Sequence, residues 1–144
     1  MMTPDQLGTE LTRRLDGPHA DEHTTAAGHL AAEAVRFLNY ATGSHAPDGL
    51  TYPATVYTVT ADLSLAAGRM PQLLGQLTRW LDTELAAGHL GVDDRSDPAG
   101  PVHEATAGMR RAAALAERLG RVLADVQSAL GSVNAFPRLE GGAW

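Results

Sequence analysis

The sequence predicts an all-α protein: an antiparallel bundle of four main helices, one of them kinked or divided at Gly68–Pro71, with a short N-terminal helix and an irregular C-terminal tail. Three observations point there. Val102, Ala105, Met109, Ala112, Ala116, Leu119, Leu123, Val126, Leu130 and Val133 step through the last third of the chain by alternating threes and fours, an unbroken heptad seam. Leu74, Leu77, Leu81 and Leu85 repeat the same spacing, widened by Leu73 and Trp80. No alternating segment has a second strand with which to pair.

The elements follow in order along the chain. Pro4 suits the first turn of a short helix with Leu7, Leu11 and Leu15 on one face, ended by Asp16, Gly17 and Pro18. Pro18 then opens the first main helix, where Ala27, Leu30, Ala34, Phe37 and Ala41 recur at helical spacing. The run GSHAPDGLTY, residues 43–52, is a turn-rich connection, and Pro53 fits the first turn of the next helix. Val56, Val59, Leu63 and Ala67 continue the period, although residues 51–60 are the one stretch whose β-branched side chains would also suit a strand.

Gly68 and Pro71 then interrupt the pattern, either ending one helix and starting another or kinking a single long one. After the leucine stripe, Gly88 and Gly91 stop the helix. The stretch GVDDRSDPAGP, residues 91–101, is the most loop-like in the chain, and Pro101 starts the final helix. Residues 1–134 read as one helical domain and 135–144 as a tail, with Phe136 and Trp144 available to dock back.

The flanks of the heptad seam refine the picture. With Met109 at position a, the g positions are Gly108, Leu115, Val122 and Ala129, and the e positions are Thr106, Ala113, Gly120 and Gln127, none of them charged. A two-stranded zipper places charges at e and g, so a face this wide asks for several neighbours rather than one. The charges fall at b, c and f, with Glu117 and Arg121 in the favourable i, i+4 order. Trp80, Leu115, Leu119, Val122, Leu123 and Val126 are therefore the candidate interface residues, and the seam can close within one chain or between two.

Composition narrows the function. A chain of 144 residues can bury a core without metals or disulfides, and it contains no Cys, which removes thiol chemistry and fits a reducing cytoplasm. All eleven basic residues are Arg, with no Lys and no Ile, a pattern expected of codon pressure in a GC-rich bacterial genome. The formal net charge of −6 opposes non-specific binding to nucleic acid or anionic membrane. Neither a secretory signal nor a membrane span is visible.

Motifs for catalysis are missing: no Gly-x-Ser-x-Gly elbow and no phosphate-cradling glycine loop occur, so the reading weighs against an enzyme and expects no cofactor. The strongest chemical candidate is HADEH, where His19 and His23, at i and i+4, would share a helix face and offer two ligands to a divalent metal. Two ligands are too few, and the zincin pattern is broken by Ala20. His89 and His103 flank an acidic loop with Asp93, Asp94 and Asp97, but its spacing is not that of a calcium loop. Arg110, Arg111, Arg118 and Arg121 would suit phosphate contacts, yet Glu117 and Asp125 are interleaved with them. The pentapeptide AAGHL occurs at residues 26–30 and 86–90 without further similarity around it, as chance allows in a chain rich in Ala, Gly and Leu.

The segment TVYTVTADLSLAAGRMPQLLGQLTRWLDTEL, residues 55–85, and within it MPQLLGQLTRWL, resembles small helical proteins of unassigned function in high-GC Gram-positive bacteria, some associated with conjugative plasmids and integrative elements. That resemblance implies a genomic setting and no catalytic residues. Size and helicity are similar to the small substrates of type VII secretion, but their Trp-x-Gly turn is missing, since Leu81 and Asp82 follow Trp80. The sequence thus leads to a non-catalytic interaction or scaffold protein, a homo-oligomer or the partner of another helical protein. The alternatives are a metal- or small-ligand-binding bundle using His19 and His23, and a DNA-binding regulator.

Overall fold

The computed structural model describes Gly17, residues 19–43 and residues 49–134. The described residues form three helices and no strand: α1 (Asp21–Ala41), α2 (Pro53–Ala86) and α3 (Ala99–Leu130). All-α therefore holds, but three helices stand where four and a short one were expected. The short N-terminal helix expected around Leu7 to Leu15, and the tail with Phe136 and Trp144, lie outside the described residues. The chain divides into two compact units, residues 1–49 and 50–144.

In the first unit, α1 begins at Asp21 rather than at Pro18. Ala20 is extended (φ −125°, ψ 160°), while Asp21 and Glu22 fill the first turn, where carboxylates suit the exposed N–H groups. The hydroxyl of Thr25 donates to the Asp21 carbonyl at 3.0 Å. At the other end, the hydroxyl and the amide of Thr42 both donate to the Leu38 carbonyl, at 2.8 and 2.9 Å, closing the last turn. No residue of α1 is buried; Phe37 and Tyr40 are both exposed, and Arg36 pairs with Glu33 while its guanidinium sits 6.0 Å from the Tyr40 ring centre.

The second unit is a hairpin of two long helices. Pro53 occupies the first turn of α2, where its missing N–H costs nothing. Residues 51–60, which could have suited a strand, continue into the helix from Pro53 because one face of the turn is covered by α3: Thr60 is buried there, its hydroxyl donating to the Val56 carbonyl at 2.7 Å. The helix also runs unbroken through Gly68 and Pro71, so of the two expected outcomes, a division or a single long helix, it is the single helix that forms. Packing explains it. Ala67 is only 3% exposed and Pro71 half-buried on the face turned to α3, so contacts on both sides of the proline hold the turn in register.

Pro71 nonetheless removes the N–H that the Ala67 carbonyl would accept, and its ring crowds the preceding turn. Pro71→Ala is therefore expected to stabilise the hairpin by about 1–3 kcal/mol, seen as a higher melting temperature by circular dichroism. An unchanged or lower midpoint would show that the ring's packing outweighs the missing bond.

Gly88 ends α2 with a Schellman motif. Its φ of 72° is the left-handed conformation that glycine adopts freely; its amide donates to Leu85, and the His89 amide donates to Glu84. In the loop that follows, Asp94 accepts from the Ser96 amide at 2.9 Å. The Ser96 hydroxyl and then its amide hold the Asp94 carboxyl below the ordinary range for aspartate. Asp97 accepts from the Ala99 amide at 2.9 Å, which satisfies an open donor at the start of α3.

The two helices run antiparallel, since Ser64 meets Gly120, Thr78 meets Met109 and Asp82 meets Arg110. What lies between them is small. Among the described residues the buried apolar side chains are Ala67 and Ala116, joined by Thr60, Thr78, Thr106 and Gly120. The backbones come close at one crossing, where the Ser64 hydroxyl donates to the Gly120 carbonyl at 2.8 Å.

This arrangement corrects the expected use of the heptad seam. Positions a and e, not a and d, face the neighbouring helix: Thr106 and Gly120 are buried and Ala113 and Gln127 half-buried, whereas Ala105, Ala112, Leu119 and Val126 are exposed. The physical reason is side-chain size. A line of Thr, Ala, Gly and Gln at e lets α2 approach with its own Thr60, Ser64 and Ala67, and van der Waals contact between backbones replaces leucine burial.

Candidate functional site

Because the small residues are used between the helices, the large ones remain outside. Each residue advances about 100° around a helix. Val56, Leu63, Met70 and Leu77 therefore lie to one side of the line Thr60, Ala67, Thr78 that faces α3, and Leu73 and Trp80 continue that side round toward the back of α2. Leu119 and Val126 lie to one side of the line Thr106, Ala116, Gly120 that faces α2, and Leu115 and Val122 continue it round toward the back of α3. In an antiparallel pair these two sides adjoin, so the hairpin carries a single apolar face; all ten residues are exposed, Trp80 by 59% and Leu115 by 66%.

The opposite side of the hairpin carries charged groups, with Tyr57 and Leu65 exposed among them. There Arg110 donates to Asp82 at 3.0 Å across the two helices, beside Gly75 and Arg79. These residues, with Leu74, Thr78, Met109 and Ala113, line a shallow depression of about 260 Å³. The Thr78 hydroxyl at its floor is already engaged with the Met109 sulfur at 3.7 Å, and the pair Asp82–Arg110 is largely in water. The depression thus offers neither a buried polar group aimed into it nor a nucleophile beside a base.

The predicted interface residues divide. Trp80, Leu115, Leu119, Val122 and Val126 share the apolar face, while Leu123 is half-buried against α2. From α2 the sequence reading named Trp80, with Leu73 and Leu77 in its stripe; it missed Leu63 and Met70 as part of that face. The signal was available: Thr60, Ser64, Ala67, Gly68 and Pro71 form a line of small or compact residues at helical spacing, the counterpart of Thr106, Ala113 and Gly120.

His19 and His23 do not share a helix face, because only His23 lies in α1 and the extended Ala20 separates them. Among the described residues no group of three His, Asp or Glu side chains converges to hold a metal. His89 Nδ1 lies 2.9 Å from a Glu84 oxygen, near the end of α2, and His103 stands apart in the first turn of α3. Of the arginines that would suit phosphate, Arg110 is paired with Asp82 and Arg121 with Glu117, the latter at 2.7 Å in the expected i, i+4 order. None of the described helices is long and apolar enough to cross a membrane. No known protein family, curated protein or solved structure matches the chain.

Proposed function

We propose that the protein is a non-catalytic helical interaction protein that works by assembly, either with itself or with another helical chain, through the apolar face of the α2–α3 hairpin. The observation that carries this reading is the order of burial: the fully buried positions between the helices are alanines, threonines and a glycine, with Leu74, Leu81, Met109 and Leu123 half-buried beside them, and ten larger apolar side chains, Trp80 among them, are exposed. Exposed apolar patches of more than a few hundred Å² mark interaction sites in folded proteins. Two helices whose fully buried contacts are alanine, threonine and glycine also gain little from burial, so a partner on the face would add hydrophobic stabilisation.

An accessory role in a conjugative or integrative element of a high-GC Gram-positive bacterium, acting in the cytoplasm, fits the resemblance of residues 55–85. The test is site-specific photo-crosslinking in the native cell. A photoreactive residue at Leu73 or Leu119 is expected to capture a defined chain, whereas one at Gln72 or Ala114, on the side of Arg79 and Arg110, is not. Equal yields, or no adduct from any position, would sink the reading.

A further inference from the structure

We propose that the chain covering this face is a second copy of the protein, packed hairpin on hairpin about a twofold axis parallel to the helices, which makes a four-helix bundle of two chains. The inference rests on the assembly reading above and commits it to one partner.

Area is the first argument. Ten side chains of this size, about half exposed, present on the order of 900 Å², against the roughly 800 Å² per partner that a standard stable interface buries. Length is the second. The face runs along helices of 34 and 32 residues, and a second hairpin of the same length covers it from end to end.

Charge is the third. In a twofold interface the same patch is used by both chains, so a charged patch would face its own like charges. Here none falls along the middle of the face, Val59, Leu63, Ala66, Met70 and Leu77 on α2 and Ala105, Ala112, Leu119 and Val126 on α3; Asp62, Arg69, Arg111 and Arg118 border it, and Glu84, paired with His89, ends it. The Asp82–Arg110 pair and Arg79 lie on the opposite side and stay in water.

Relief is the fourth, and it selects the axis. Since Thr78 is level with Met109 and Gly120 with Gly68, Leu77 and Trp80 are level with Ala105, Gly108 and Ala112. One half of α2 is therefore bulky where the adjoining half of α3 is hollow. An axis parallel to the helices lays α2 of one copy over α3 of the other at the same level, so Leu77 enters the hollow of the partner with Trp80 at its rim, and the partner's own pair does the same here. Large against small is how facing helix layers fill space.

The experiment uses the full chain, purified, over a hundredfold range of concentration. Light scattering after size exclusion should give twice the 15.1 kDa chain mass, falling toward the single mass on dilution. In a Trp144→Phe background, Trp80 emission should shift to the red over that same range. Ala112→Glu places a charge in the hollow at an exposed helical position where Glu is well tolerated. It should keep the helical spectrum and weaken the dimer by about a hundredfold.

Gln72→Glu, on the same side as Arg79, should change neither reading. A constant 15.1 kDa with unshifted Trp80 emission overturns the second copy, and so does a dimer indifferent to Ala112→Glu. If the purified chain is monomeric while Leu73 and Leu119 still crosslink to a different protein in the cell, the inference fails and the assembly reading stands. If Ala112→Glu fails to fold, the wild-type mass together with Trp80 emission decides.

Discussion

Replacing Gly120 with leucine is expected to lower the melting temperature of the hairpin by roughly 5–20 °C. A Cβ at this position would stand 3.3 Å from the Gly68 nitrogen and 3.3 Å from the Ser64 carbonyl oxygen, both backbone atoms of α2. Neither can rotate away, so a larger side chain must force the helices apart where they are closest. Overpacking of this kind costs about 1–3 kcal/mol or more. Parting the helices also breaks the bond from the Ser64 hydroxyl to the Gly120 carbonyl, worth about 1 kcal/mol. Against this stands the gain of about 1 kcal/mol from replacing glycine inside a helix. The net loss of about 1–3 kcal/mol gives the shift in midpoint, read by circular dichroism. Gly68, across the same crossing, supplies the control. A Cβ there meets nothing within 4 Å, so Gly68→Ala should stabilise by about 0.5–1 kcal/mol. If both glycines responded alike, the close crossing would not be what holds α2 against α3.

Periodicity in the sequence was enough to place the long helices, because spacing by threes and fours survives any choice of partner. It was enough to identify α3 almost to its ends, and to recognise Glu117–Arg121 as a surface pair. Which residues of the periodic set turn inward was not legible from hydrophobicity. The seam reading ranks Leu119 and Val126 as core because they are large and apolar, whereas the neighbouring helix selects Thr106, Ala113 and Gly120 because they are small. Both lines have the same period and lie less than a quarter-turn to either side of position a. Only the matching small line on α2, Thr60, Ser64 and Ala67, decides between them, and that is a property of two segments read together.

The helix running through Pro71 has a similar origin. Local chemistry at Gly68 and Pro71 argues for a break, and the contacts of Ala67 with α3 on the far side of the sequence outweigh it. The histidines show the reverse error. An i, i+4 spacing brings His19 and His23 together only where the backbone is already helical, and α1 starts two residues after His19.

Two aspartates placed four residues apart on α3 should have opposite consequences. Leu123→Asp is expected to unfold the hairpin at ordinary temperature. Leu123 is half-buried on the face turned to α2, level with Ser64. Truncating a leucine in such a site costs about 2–5 kcal/mol when the cavity does not close, and a carboxylate left there loses water without gaining a partner. A two-helix hairpin whose core is otherwise alanine and threonine has little stability to lose, so helical ellipticity at 25 °C should fall.

Leu119→Asp, one turn earlier, points into the apolar face and leaves the contact with α2 untouched. Its ellipticity should persist, and measured at a concentration where the wild type is already dissociated, its melting temperature should match wild type to within about 1 kcal/mol. At high concentration the two should differ, because assembly adds to the stability of the wild type alone by mass action. Were the a and d positions the helix contact after all, the pattern would reverse: Leu119→Asp would melt the hairpin at every concentration.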